Sequence, residues 1–222
     1  MKALLARGAD PNARIATSTV MGLGVSGKSG AFDTFSVGTG DLKGATPLWI
    51  AAYVAHSPGR GGAERSGQGK DALETVRVLL EAGADANLAS KDGTTALMVA
   101  AGLGRSSYQP GAPRGARSRS AETAVKMLIE AGADVNAVNE ASFTALHGAA
   151  FRGLNEVIQY LVDQGANINA RDFRGRTPYR IAQGAQQMFR VQGWPETAEF
   201  LKKLGADAGP LTNFGEATLS GI

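Results

Sequence analysis

Gly132-Ala133-Asp134-Val135-Asn136, then Thr144-Ala145-Leu146-His147, then Gly165-Ala166-Asn167-Ile168-Asn169: this stretch closes on itself after 33 residues, from Gly132 to Gly165. Both of its phrases recur along the chain. The first returns as Gly8-Ala9-Asp10-Pro11-Asn12, Gly83-Ala84-Asp85-Ala86-Asn87 and a worn Gly205-Ala206-Asp207-Ala208. The second returns as Thr46-Pro47-Leu48-Trp49, Thr95-Ala96-Leu97-Met98 and Thr177-Pro178-Tyr179-Arg180. A fixed internal period decides an architecture before any single residue does. Gly83, Gly132 and Gly165 precede Thr95, Thr144 and Thr177 of the second phrase by 12 residues each, so longer separations elsewhere read as insertions into a common unit.

The chemistry of the unit describes two helices. Thr caps free backbone N–H groups and Pro fits the first helical turn. Small pairs follow at Ala51-Ala52, Ala100-Ala101 and Ala149-Ala150, with a single Ala182 in the last unit; they let neighbouring helices approach closely. A second helix shows apolar residues at helical spacing: Val76, Leu79, Leu80; Val125, Leu128, Ile129; Ile158, Leu161, Val162. It stops at Gly83, Gly132, Gly165 and Gly205, where a left-handed residue favours Gly. Asp/Asn-and-Gly clusters such as Lys91-Asp92-Gly93 and Asp172-Phe173-Arg174-Gly175 mark turns. The spacing predicts second helices near 71–82, 120–131, 154–164 and 195–204.

The 33-residue period, Thr-Pro-Leu-His-x-Ala and Gly-Ala-Asp-x-Asn together resemble the ankyrin repeat. The resemblance covers about residues 1–12 and 41–207, and it implies an all-α helix–turn–helix solenoid with short β-hairpin or turn fingers. Residues 1–13 read as the end of a repeat whose first helix is absent, as in a chain cut from a longer array, and 14–40 as an insertion. Four repeats follow at 41–89, 90–138, 139–171 and 172–207, with further insertions at about 57–70, 104–119 and 184–193, and a tail at 208–222. These three insertions should gather along one edge. They are basic: Arg60, Arg65, Lys70, Arg105, Arg114, Arg117, Arg119 and Arg190 face one acid, Glu64.

Composition sets limits. The absence of cysteine excludes disulfides and thiolate chemistry, and a net charge of +3 in 222 residues does not by itself argue for nucleic acid. No apolar run approaches the ~20 residues that span a bilayer. Gly22-Leu23-Gly24-Val25-Ser26-Gly27-Lys28-Ser29 fits the phosphate-loop pattern, but that loop works between a strand and a helix, and the glycines after Ser29 oppose a helix. It reads as coincidence within a finger, and no nucleotide binding is expected there.

No catalytic constellation is present, so no enzyme, cofactor or metal is expected. His147 stands where the family resemblance implies a structural bridge between turns, and His56 reads as structural too. Trp49, Met98 and Arg180 replace that histidine elsewhere, which should weaken the polar network, with Trp49 packing on the large insertion. The resemblance implies a monomer, or part of a longer chain, whose partner is another protein. The expected contact positions are Trp49, Tyr53, Lys91, Asp92, Met98, Phe143, Phe151, Arg152, Arg174, Arg176 and Arg180. Phe143, Phe151 and Phe173 read equally as seals between repeats. The alternative partner is a nucleic acid or anionic surface, bound by the basic loop residues Arg105, Arg114, Arg117 and Arg119.

Overall fold

A computed structural model describes residues 1–17, 42–55, 68–103, 118–184, 186–187, 190–191 and 193–208. Within these, a short α1 (Lys2–Leu5) precedes four helix pairs: α2 (Pro47–Ala55) with α3 (Gln68–Glu81), α4 (Ala96–Ala100) with α5 (Arg119–Glu130), α6 (Ala145–Arg152) with α7 (Asn155–Asp163), and α8 (Pro178–Gly184) with α9 (Pro195–Lys203). The only strands among the described residues are β1 (Gln186–Gln187) and β2 (Arg190–Val191), a two-residue antiparallel pair inside the last insertion. The fold is the expected all-α solenoid, and each second helix begins within one turn of its expected start. Two insertions end earlier than expected. Gln68 already belongs to α3, and the Ser118 hydroxyl caps α5 by accepting from the Ala121 N–H at 3.3 Å. Arg119 is therefore the exposed first residue of a helix rather than a loop residue.

Each Thr of the second phrase caps its helix. Thr46, Thr95, Thr144 and Thr177 accept from the N–H three residues on, at 3.2, 3.3, 3.4 and 3.4 Å. Each Gly of the first phrase ends a second helix at positive φ, +87° at Gly132 for example. The following Ala donates its N–H back to the leucine five residues before it, as Ala133 does to Leu128 at 3.0 Å. That pattern needs a left-handed residue followed by a small one that can pack against the last turn. It explains Gly-Ala as a pair.

First helices stack on first helices (α2 on α4 on α6 on α8) and second on second (α3 on α5 on α7 on α9). The core lies between the two layers. Leu79, Leu128, Leu161 and Leu201 are each fully buried at equivalent positions.

The Asp-x-Asn part of the phrase joins neighbouring repeats. The Asn87 side chain donates to the Gly132 carbonyl at 2.9 Å and accepts from the Asp134 N–H at 2.8 Å. Asn12 does the same to Gly83 and Asp85, and Asn136 to Gly165 and Asn167. Asn169 accepts from the Asp207 N–H at 2.8 Å. Asp10, Asp85 and Asp134 each hold their own Asn in place, Asp85 Oδ1 accepting the Asn87 N–H at 2.8 Å. Asn12, Asn87 and Asn136 therefore each satisfy the free carbonyl of the next helix end, including between residues 1–13 and the first full repeat. A residue that occupies orphan groups at a helix terminus is stabilising.

The fingers are tight turns whose fourth residue lies in the left-handed region: Gly44 (φ +81°), Gly93 (+78°), Gly175 (+74°) and, as the exception, Ser142 (+57°). Only Ser142 carries a Cβ in that conformation. The turn itself is held by Asn139, whose Oδ1 accepts from the Ala141 and Phe143 N–H groups at 3.0 Å each. Ser142→Gly is expected to raise stability by about 0.5–1 kcal/mol by removing this strain. A urea or thermal melt checks it; a lower melting temperature would show that the serine hydroxyl has a part in the turn.

Candidate partner-binding surface

The fourth residue of the Thr phrase sits in the first turn of each first helix. In the third unit it is His147. Its Nδ1 accepts from the Thr144 N–H at 3.1 Å, and its Nε2 lies 3.2 Å from the Arg176 carbonyl of the following finger. Those partners fix the proton on Nε2, so the ring bridges two repeats as a neutral group. Burial drives its pKa down to about 4; the Arg176 carbonyl and the nearby Asp172 carboxylate oppose that shift and do not overcome it.

Trp49 keeps the same bridge with different chemistry. Its indole Nε1–H donates to the Thr94 carbonyl at 3.0 Å, and Thr94 is the register equivalent of Arg176. The ring also stacks on Tyr53, centroids 5.6 Å apart and 10° from parallel. The expected weakening of the polar network at Trp49 does not occur, because an indole N–H supplies the donor that histidine supplies elsewhere. Met98 fills the equivalent slot as an apolar residue, 1% exposed. Arg180 turns outward: it lies over the Tyr179 ring at 5.6 Å and donates to Gln183 Oε1 and the Ala208 carbonyl.

Four of the expected contact residues are thereby corrected. Trp49, Tyr53, Met98 and Phe143 are buried, because the face they occupy is the one that seals neighbouring repeats. Phe143 packs edge-on against the His147 ring, centroids 5.6 Å apart. Arg176 and Asp92 are partly buried and hold finger geometry. The Arg176 Nε donates to Asp172 Oδ2 at 2.7 Å, and Asp92 Oδ1 accepts from the Thr94 N–H at 3.1 Å and from the Ser90 hydroxyl. Lys91 and Arg174 are exposed, and Phe151, Arg152 and Arg180 are half-buried. The Phe151 carbonyl is taken by the Trp194 indole at 2.8 Å, which ties α6 to the start of α9. Arg105, Arg114 and Arg117, His56 and the Gly22–Ser29 stretch lie outside the described residues.

Two exposed finger residues, Val138 and Arg171, escape a reading by repeat position, and Phe173, read as seal or contact, keeps its side chain exposed. The signal for Phe173 was its place inside a polar turn, where an apolar side chain has no helix to pack on. Two recesses lie among the described residues. An apolar one of about 620 Å³ lies beside α2 and α3, lined by Ile15, Ile50, Val54 and Ala72 among others. Ile50 and Val54 are half-buried there, whereas their register equivalents Val99 and Leu103 are buried. A second recess of about 280 Å³ lies between α5 and α7, where Lys126 sits over the Tyr160 ring at 5.4 Å. Among the described residues no group of three histidines or carboxylates is placed to hold a metal, and no helix is long and apolar enough to cross a membrane.

Comparison with known proteins agrees with this geometry. The family model described as "Ankyrin repeat" matches residues 43–91 and 92–140, and that described as "Ankyrin repeats (many copies)" matches 128–182. Together they cover 43–182, more than half of the chain. Human Rabankyrin-5 is 47% identical over 49 residues, 22% of this chain and 4% of that protein. Human protein phosphatase 1 regulatory subunit 27 is 36% identical over 76 residues, 34% of this chain and 45% of that protein. The chain thus spans less than half the length of either relative.

Proposed function

Because this chain belongs to the ankyrin repeat family, we propose that it is a non-catalytic adaptor that holds a protein partner on its finger edge and the adjoining first helices. One observation carries this reading. Successive fingers are joined backbone to backbone: the Lys91 N–H donates to the Lys43 carbonyl at 2.8 Å, Glu140 to Asp92 at 2.9 Å and Phe173 to Ala141 at 3.0 Å. The exposed side chains of the edge therefore project from a preorganised frame, which lowers the entropic cost of binding. The one described histidine supports a non-catalytic role, since both its ring nitrogens are engaged between repeats. A relative that is a regulatory subunit fits an adaptor role as well.

The test is capture by the immobilised chain with chemical cross-linking and mass spectrometry, repeated as salt is raised. A protein partner cross-linked to finger residues and retained at high salt is expected. Recovery of nucleic acid, released steeply by salt as phosphate-dominated complexes are, would overturn this reading in favour of a polyanion-binding surface.

A further inference from the structure

We propose that the edge formed by the third and fourth fingers docks an acidic peptide segment carrying one aromatic or aliphatic anchor. This rests on the adaptor reading and names the chemistry of its partner. Exposed large hydrophobic residues are few among the described residues: Met1, Leu4, Val138 and Phe173. Two of the four lie on adjacent fingers, Val138 in the third and Phe173 in the fourth. The first two fingers carry none.

Phe173 is held for contact. Its N–H is fixed on the Ala141 carbonyl, and its ring stands edge-on to buried Phe143, centroids 6.4 Å apart and 80° between planes. It keeps 45% of its surface exposed on that base. An aromatic ring that is already ordered and still accessible has the features of an interface anchor.

The charge around it is mainly positive, with Arg176 paired to Asp172 and Glu140 on the adjacent finger. Arg171, Arg174 and Arg176 belong to the same finger, and Arg180 opens the helix that follows. The finger's own acid, Asp172, is 4% exposed, and its carboxylate is spent inside the turn on the Arg174 N–H, the Arg176 N–H and the Arg176 Nε. Arg174 lies over the Phe173 ring at 5.2 Å, and Arg171 is laid along the finger by its bond to the Gly175 carbonyl at 3.0 Å. Glu140, on the third finger, is the exposed acid nearest in register. An apolar ring flanked by planar guanidinium groups matches carboxylates around an apolar side chain, because guanidinium pairs with carboxylate through two parallel hydrogen bonds. The second finger, with Lys91 beside Asp92, offers neither the anchor nor the excess charge.

Fluorescence anisotropy with a labelled short peptide of Glu and Asp around a single Phe tests this, using the full chain. Controls replace the acids by Gln and Asn, replace the Phe by Ser, or use a single-stranded oligonucleotide of equal charge. The acidic Phe peptide is expected to bind, and each peptide control to bind at least about tenfold more weakly. Phe173→Ala and Arg174→Glu should each weaken binding about tenfold or more, while Lys203→Ala, exposed at the end of α9, leaves it unchanged. Both altered positions are exposed, and circular dichroism confirms that the variants fold. Equal binding of the neutral peptide, equal binding of the oligonucleotide, or an Arg174→Glu chain that binds as before would overturn the proposal. A cross-linked protein partner that survives both substitutions leaves the adaptor reading standing and removes this surface from it.

Discussion

Leu128→Ala is expected to destabilise the array by about 2–5 kcal/mol, the range for emptying a well-packed leucine site. Leu128 is fully buried in α5 and is the residue whose carbonyl closes that helix end through the Ala133 N–H. Its helix packs on α3 and α7 to either side and on α4 and α2 within the layer pairing. The loss therefore falls on several contacts at once. In a solenoid each unit is stabilised by its neighbours, so the same change at the end of the stack should cost less. Leu201→Ala in α9 is the matched control: Leu201 is equally buried, but among the described elements α9 packs chiefly on α8 and, more lightly, on α7. Denaturant unfolding of the two variants checks the ordering. A Leu128→Ala melt indistinguishable from the parent, or a larger loss at Leu201, would contradict the register of repeats given above.

Acid is expected to unfold the protein through His147. Its folded-state pKa is lowered to about 4 by burial, against about 6.5 in an unfolded chain. The unfolded state therefore binds this proton first as pH falls. Stability is level above pH ~6.5, declines as pH drops from there toward ~4, and the decline amounts to on the order of 3 kcal/mol. The groups facing the ring are the Asp172 carboxylate, which favours the charged form, and Arg176, which opposes it. Other carboxylates add their own acid dependence, so the diagnostic quantity is the difference between parent and His147→Gln. Urea unfolding at a series of pH values should show the parent losing stability more steeply than the variant within this window. Parallel slopes would mean that the ring is not held neutral between the repeats.

Much of the fold was legible because its signals are local. A capping Thr, a stop Gly and an apolar stripe each act within one turn of helix, and all four second helices start within a turn of the expected places. The joining role of the asparagines was present in the sequence as a spacing but not as a function. Asn87 and Gly132 are distant in sequence, and only stacking brings the side chain to that carbonyl.

The binding surface was less legible for a related reason. Periodicity tells which face of an isolated helix is apolar, but the fate of Trp49, Tyr53 and Met98 is set by the neighbouring repeat. At Trp49 the expected weakening does not occur, since an N–H donor of the right reach is all that the Thr94 carbonyl requires. Phe173 read as seal or contact; its ring meets Phe143 edge-on and keeps 45% of its surface exposed. Arg119 was placed in a basic loop because the Ser118 cap was not weighed against the arginine run before it.

Amide hydrogen exchange on the chain with and without its cross-linked partner tests the central claim most directly. The account predicts added protection over residues 137–143 and 171–180, the third and fourth fingers with the start of α8, and little change along α3, α5 and α7. Protection concentrated on those second helices, with the fingers exchanging as in the free chain, would contradict it.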